Sequence, residues 1–253
     1  MRLARISRPQ GAAFAAVDDA RARLYTDAPW RGGTPTGEVV PFELKDVLAP
    51  VEPSKIVCIG RNYAAHAKEL GSDVPKEPLM FLKPPSSLIP AGGTIVLPRE
   101  SSKVEHEAEL GVVIGARAKN VSRDRALAHV FGYTCVGDIT ARDLQRSDGQ
   151  WSRAKGFDTF CPVGPWIETE LDPGTLRIAC RVNGATRQDG PTSDMIFPVA
   201  VIIEYVSRMM TLEPGDLIAT GTPEGVGPLV SGDQIEIEIG GIGQLACRVR
   251  AAS

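Results

Sequence analysis

Residues 104–115 read VEHEAELGVVIG, and the way this stretch alternates decides the fold. Glu105, Glu107 and Glu109 lie two residues apart, and on a β-strand such side chains share one face. The run then turns apolar from Leu110 to Ile114, too apolar for an exposed strand, so Glu109 at least must approach the interior. Three carboxylates on one face repel one another and need an offset. A divalent cation supplies it economically, whereas a solvated strand edge supplies it with water.

Strand signals recur on both sides of this stretch. KIVCIG (55–60), LMFLK (79–83), TIVLP (94–98) and TCVGDI (134–139) read as strands, as do TLRIACRVNG (175–184), DLIATG (216–221), QIEIEIG (234–240) and QLACRVR (244–250). Two helices are expected. Ser122 is placed to cap one through Arg125–Phe131. The other follows Pro198 with Val199, Ile202, Ile203, Val206, Met209 and Met210 on one face, and ends at the turn Glu213-Pro214-Gly215-Asp216. Many strands with few, unevenly spaced helices predict an α+β, mostly β domain and not a regular doubly wound sheet. Residues 1–50 read as a small N-terminal subdomain and residues 51–253 as the main domain, with ALAPVEPSK at the boundary. Within the first part, the alanines of GAAFAAVDDARARLY favour a helix by propensity, while Asp18-Asp19 between two short apolar runs favours a hairpin.

Composition narrows the class of partner. The 253 residues carry 28 basic and 31 acidic side chains, a net charge of −3. Neither a nucleic-acid backbone nor an anionic membrane suits that field. No stretch approaches the roughly 18–20 apolar residues of a membrane span, and MRLARISRPQ lacks the apolar run of a secretory signal. The five cysteines are scattered with no C-x-x-C pair, which points to small buried hydrophobes in a reducing cytosol. With only three histidines, His66, His106 and His129, a bound metal must rely on carboxylates, and oxygen ligands select hard cations. A non-haem iron oxygenase is disfavoured for the same reason.

Four further segments carry candidate chemistry. Asp138 in GYTCVGDITARDLQ follows an apolar strand, a usual place for an active-site side chain, although a turn cap reads equally well. Arg142 and Asp143 beyond it read as a local ion pair of little worth. In GRNYAAHAKEL (60–70), His66 and Glu69 are spaced i, i+3, the layout of a carboxylate-oriented general base or of an ordinary surface pair. Lys155 sits in a Gly-, Pro- and aromatic-rich segment, where most lysines face solvent. ATGTPEGVGP (219–228) lacks the Gly-Lys-Ser/Thr ending of a phosphate loop, but its backbone N–H groups can hold a small carboxylate.

Taken together, these segments resemble the fumarylacetoacetate hydrolase family, and in particular its short members acting on acylpyruvates and related oxo-acids. The resemblance is carried in order by GRNYAAHAKEL, FLKPPSSLI, EAELGVVIG, GDITARDLQ, the W-x-x-A-K-x-F-D-T-F-C-P-V-G-P segment, V-N-G…R-Q-x-G…M-I-F and T-G-T-P-x-G-V-G, over about residues 54–245. It implies a mixed β-sandwich or β-roll with a few flanking helices, and a homodimer. It implies Glu107, Glu109 and Asp138 as ligands of one Mg2+ or Mn2+, with Glu105 only a neighbour. It implies Lys155 facing the substrate, Gln145 orienting substrate or water, His66 with Glu69 as a dyad on a mobile lid, and Arg61 and Thr222 touching substrate oxygens. The expected reaction is hydrolysis of a C–C bond in a 2,4-dioxo acid through a metal-stabilised enolate. Decarboxylation or isomerisation of an oxo-dicarboxylate at the same site ranks next, and a catalytically silent metal-binding relative stands outside catalysis.

Overall fold

The structure, a computed structural model, describes residues 1–18 and 20–252. Every residue of the strand Ala108–Ile114 is buried. It lies antiparallel between Val130–Gly137 and Leu217–Ala219, near the middle of a large sheet. Leu110, Val112 and Ile114 enter the main core, while Val113 enters a second cluster on the opposite face. A strand covered on both sides reads as a continuous apolar run, which explains why the alternation seen at Glu105–Glu109 stops there.

Beyond Leu217–Ala219 the sheet continues through Ile56–Gly60, which runs parallel to it, to the edge strand Leu79–Lys83. On the other side it continues through Cys161–Glu168 to Arg2–Ile6. A second sheet orders Ala185–Pro191, Arg177–Val182, Gln234–Ile239, Gly243–Ala251 and Thr94–Leu97. Ile178, Ile235, Ile237 and Leu245 from this sheet share the main core with Leu110 and Val112, so the two sheets pack as a sandwich. Strands hold 42% of the residues and helices 19%, and the sheets mix parallel and antiparallel pairs, so the class is mostly β. A third, short sheet orders Thr140–Ala141, Val104–His106 and Gly227–Pro228.

The helix after Pro198 spans Val199–Met209 and buries Val199, Ile202, Ile203 and Val206; Met209, expected on the same face, is 47% exposed. The helix expected through Phe131 is shorter. It covers Arg123–Ala126, passes into a 3-10 turn at Leu127–His129, and gives way to strand at Val130. Val130 and Gly132 pair with Ile114 and Val113, with Phe131 at the irregularity between them, a tertiary override of local pattern. At the N-terminus the strand reading wins over helix propensity. Ala13–Val17 pairs antiparallel with Arg21–Tyr25, and Pro35–Pro41 extends the meander. Asp18 accepts hydrogen bonds from the backbone of Ala20 and Arg21 at the turn, and Asp19 lies outside the described residues. These strands have a small cluster of their own around Ala4, Ile6, Leu24 and Phe42, yet they extend the large sheet. Among the described residues, no helix is long and apolar enough to cross a membrane.

Candidate active site

The carboxylate strand is interrupted at Glu107. Val104–His106 belongs to the short sheet and Ala108–Ile114 to the large one, so the chain changes partners at this residue. At the changeover the Glu107 carbonyl accepts a hydrogen bond from Asp138 N at 2.9 Å, which brings the end of Val130–Gly137 alongside. The side chains of Glu107, Glu109 and Asp138 converge. Each offers one carboxylate oxygen, and these oxygens lie within 4.8 Å of one another. All three residues are buried, with exposures of 4%, 2% and 1%. Glu105 turns elsewhere, to Arg142 Nε at 2.7 Å and Lys103 Nζ at 3.0 Å.

Three cations face this group. Lys155 Nζ, at the end of the helix Ser152–Lys155, bonds Glu107 at 2.8 Å and Asp138 at 2.6 Å. Lys83 Nζ bonds the other oxygen of Asp138 at 2.7 Å and donates to the Ile139 carbonyl at 3.2 Å. Arg142 bridges Glu105 and Glu107 and reaches Gln145 at 2.6 Å. The local Arg142–Asp143 pair expected from sequence therefore does not form; Asp143 binds Ser101 and Ser102 instead. The reason is that Arg142 is buried and its guanidinium is drawn to two buried carboxylates.

The electrostatics are uneven. Burial alone would raise the Glu107 carboxyl, but Lys155 and Arg142 outweigh it and hold Glu107 well below the usual carboxylate range. Burial and the charges of Asp138 and Glu107 push Glu109 well above that range, and Lys155 and the Gly221 N–H at 2.8 Å only partly offset this. Burial works against the Lys155 ammonium, yet Asp138 and Glu107 overcome it and raise its pKa. The centre thus keeps one carboxylate, Glu109, that the charge of Lys155 stabilises only in part and that, among the described residues, no side-chain cation bonds directly. Three converging, buried, hard oxygen donors with that unmet demand for positive charge fit a cation such as Mg2+ or Mn2+.

His66 and Glu69 lie on the helix Ala64–Glu69, with His66 Nδ1 3.1 Å from Glu69 Oε2. Glu69 also accepts from the Gly225 N–H at 3.1 Å. His66 is 3% exposed. It lines a cavity of about 160 Å³ together with Glu107, Lys155, Arg142, Gln145, Arg61, Arg146 and Trp151. A cavity of about that size elsewhere holds benzene, so the scale suits a small acid. Of the residues expected at the site, His66, Lys155, Arg61, Gln145 and Glu107 line this cavity directly. Glu69, Glu109, Asp138 and Thr222 do not; the Thr222 hydroxyl donates to the Ala108 carbonyl at 2.8 Å and accepts from Gln188 at 2.6 Å. Lys83, Trp151 and the cavity-lining Arg146 are not singled out by the sequence. Lys83 appears only within the strand LMFLK, and its partner Asp138 is 55 residues away. Trp151, against the Arg61 guanidinium and Phe81, was quoted only as part of a motif.

Residues 55–250 match the family described as fumarylacetoacetate (FAA) hydrolase C-terminal, and residues 1–50 match Rv2993c-like, N-terminal. Protein Rv2993c of Mycobacterium tuberculosis is 47% identical over 255 residues, covering 97% of this chain and 96% of that protein. Oxaloacetate tautomerase FAHD1, mitochondrial, of Arabidopsis thaliana is 48% identical over 198 residues, covering 76% of this chain and 89% of that one. Among solved structures, 5-carboxymethyl-2-hydroxymuconate delta-isomerase from Mycobacterium smegmatis superposes over all of both chains with a TM-score of 0.93 at 44% identity. Maleylpyruvate hydrolase from Sphingobium sp. SYK-6, solved with manganese(II) and pyruvate, covers all of both chains with a TM-score of 0.80 at 34% identity.

Proposed function

This chain belongs to the fumarylacetoacetate hydrolase family of enzymes, and from that premise we propose that it enolises a small 2-oxo acid, with a dicarboxylate as the preferred substrate class. The observation that carries this reading is that His66, paired with Glu69, and Glu107, one of the converging Glu107–Glu109–Asp138 carboxylates, line one cavity. Held by those three carboxylates, a dication of the Mg2+ or Mn2+ type would draw electron density from the 2-oxo group and so acidify the neighbouring carbon.

The rest falls to this chain's own side chains. Glu69 accepts from His66 Nδ1, which keeps the proton on that nitrogen and leaves Nε2 as the basic atom. His66 Nε2 takes the proton from C3 of the acid and returns it at a different position, which interconverts keto and enol forms or moves a double bond. The Lys155 ammonium stands beside the oxygen that gains charge as that proton leaves. Arg61 and Arg146, on the cavity wall, suit a second carboxylate of the substrate. Gln145, held by Arg142, orients the acid between them.

Hydrolysis of an acylpyruvate, ranked first from sequence, now takes second place. It adds one step, the activation of water by His66, and the likeness to maleylpyruvate hydrolase supports it at 34% identity. The tautomerase and isomerase relatives, at 48% and 44%, support proton transfer without that step. The test is a panel of oxaloacetate, acetylpyruvate, fumarylpyruvate and a hydroxy-heptadienedioate with Mg2+ present, followed by the ultraviolet absorbance of the enol. Keto–enol exchange faster than C–C cleavage supports the proposal. Cleavage without faster exchange favours the hydrolase, and no turnover despite Mg2+ binding points to a silent relative.

A further inference from the structure

Gln188 lies on the strand Ala185–Pro191 and is fully buried. Its amide uses every hydrogen-bonding position it has. Oε1 accepts from Ala108 N at 3.0 Å and His106 Nδ1 at 3.1 Å, and Nε2 donates to Thr222 Oγ1 at 2.6 Å and the Pro223 carbonyl at 2.8 Å. A backbone N–H can only donate and a carbonyl can only accept, so Ala108 and Pro223 fix which way the amide faces. Thr222, having accepted from Gln188, gives its one proton to the Ala108 carbonyl at 2.8 Å. The amide thus ties residue 108, between two of the candidate ligands, to the loop 220–225.

That loop delivers two backbone N–H groups. Gly221 donates to Glu109 at 2.8 Å, and Gly225 donates to Glu69 at 3.1 Å. Neither glycine tolerates a side chain. Gly221 has φ +99°, and a Cβ there would lie 2.6 Å from Asn62 Cβ; Gly225 has φ +95°, and its Cβ would lie 2.0 Å from the Arg187 carbonyl. The loop is therefore pressed between Asn62, just ahead of the dyad helix, and the strand that carries Gln188. We propose that Gln188 is a positioning residue which sets the loop against the carboxylate strand, so that one side chain fixes both the carboxylate Glu109 and the dyad partner Glu69. The inference rests on the metal reading of the preceding subsection, and it adds a residue that touches neither metal nor substrate.

Groups that support a metal's ligands typically govern its affinity by about 10- to 100-fold. The experiment is a Mn2+ titration of the full chain, read by the electron paramagnetic resonance of free Mn2+, with urea melts of the metal-free proteins beside it. Gln188→Glu keeps the acceptor end and removes the donor end. Thr222→Val removes the link from the loop side, and Thr222→Ser retains it. The expected result is a loss of Mn2+ affinity of about 10- to 100-fold in the first two, with Thr222→Ser close to the starting protein. Folded Gln188→Glu and Thr222→Val proteins that bind Mn2+ as tightly as the starting protein overturn the inference alone, as does a Thr222→Ser loss equal to that of Thr222→Val. If Gln188→Glu does not fold, the threonine pair decides. Failure of the starting protein to bind Mn2+ overturns the metal reading, and the inference with it.

Discussion

Replacing Glu109 by Gln should make the metal-free protein more stable near neutral pH while weakening its hold on metal. Two like charges taken at 4.8 Å, the widest spacing of these oxygens, repel by about 3.5 kcal/mol at an effective dielectric constant of about 20. Glu109 faces two such neighbours, Asp138 and Glu107, and Lys155, a weaker influence than either, offsets part of that repulsion. Two such repulsions less one attraction of that order leave a net relief of about 3.5 kcal/mol, a rise of about 7–14 °C in Tm for a chain of this size. The amide at 109 can still accept from Gly221 and can donate toward the other two carboxylates. The sign with pH follows from the raised carboxyl of Glu109, lifted first by burial and then by Asp138 and Glu107. The folded state holds that proton more tightly than the unfolded state. Metal-free stability is therefore full below the ordinary value of 4.5 and falls as pH rises through the window above it. One such proton gives a slope of at most about 1.4 kcal/mol per pH unit. Glu107 has the opposite sign: its lowered carboxyl contributes stability above 4.5 that is lost only as pH falls below. Urea melts in EDTA between pH 5 and 8 should show the slope in the starting protein and its absence in Glu109→Gln. Mn2+ affinity should drop by roughly two orders of magnitude with the loss of a charged ligand. Unchanged Mn2+ affinity, or lower metal-free stability at every pH, would refute the reasoning.

Two further outcomes are expected. His66→Ala should slow enolisation by about 10²–10⁴-fold, the usual contribution of a positioned base, with Mn2+ affinity retained; equal rates with and without the imidazole, measured by stopped-flow absorbance, would remove its assigned role. Lys83→Met should destabilise the metal-free protein by about 3–5 kcal/mol, because Asp138 is left buried without one of its cations, and added Mn2+ should restore part of the loss; a urea midpoint unchanged in EDTA would count against Lys83 as a charge partner.

Much of this architecture is legible from local pattern. The period-two glutamates followed by LGVVIG announce a strand that runs from a polar mouth into a core, and the observed strand Ala108–Ile114 does so. The same rule treats residues 104–115 as one strand and so does not show the interruption at Glu107, where the chain passes between sheets and brings Asp138 alongside. Lys83 and Gln188 escape for another reason. Each is a polar residue on an unremarkable strand, and what gives it a role is a partner more than 50 residues away. Lys155 shows the limit of base rates, since most lysines face solvent and this one is 2% exposed between two carboxylates. Residues 13–25 failed to declare themselves because alanine favours helix locally, while pairing with a neighbouring strand decides the outcome.

The most direct measurement is deuterium uptake at C3 of oxaloacetate in D2O, followed by proton NMR with enzyme and Mg2+, with enzyme and EDTA, and without enzyme. The account predicts exchange well above the uncatalysed background with Mg2+, and a return to background when EDTA removes the metal or His66→Ala removes the base. Exchange at the background rate with Mg2+ bound, or fast exchange that survives both losses, would contradict it.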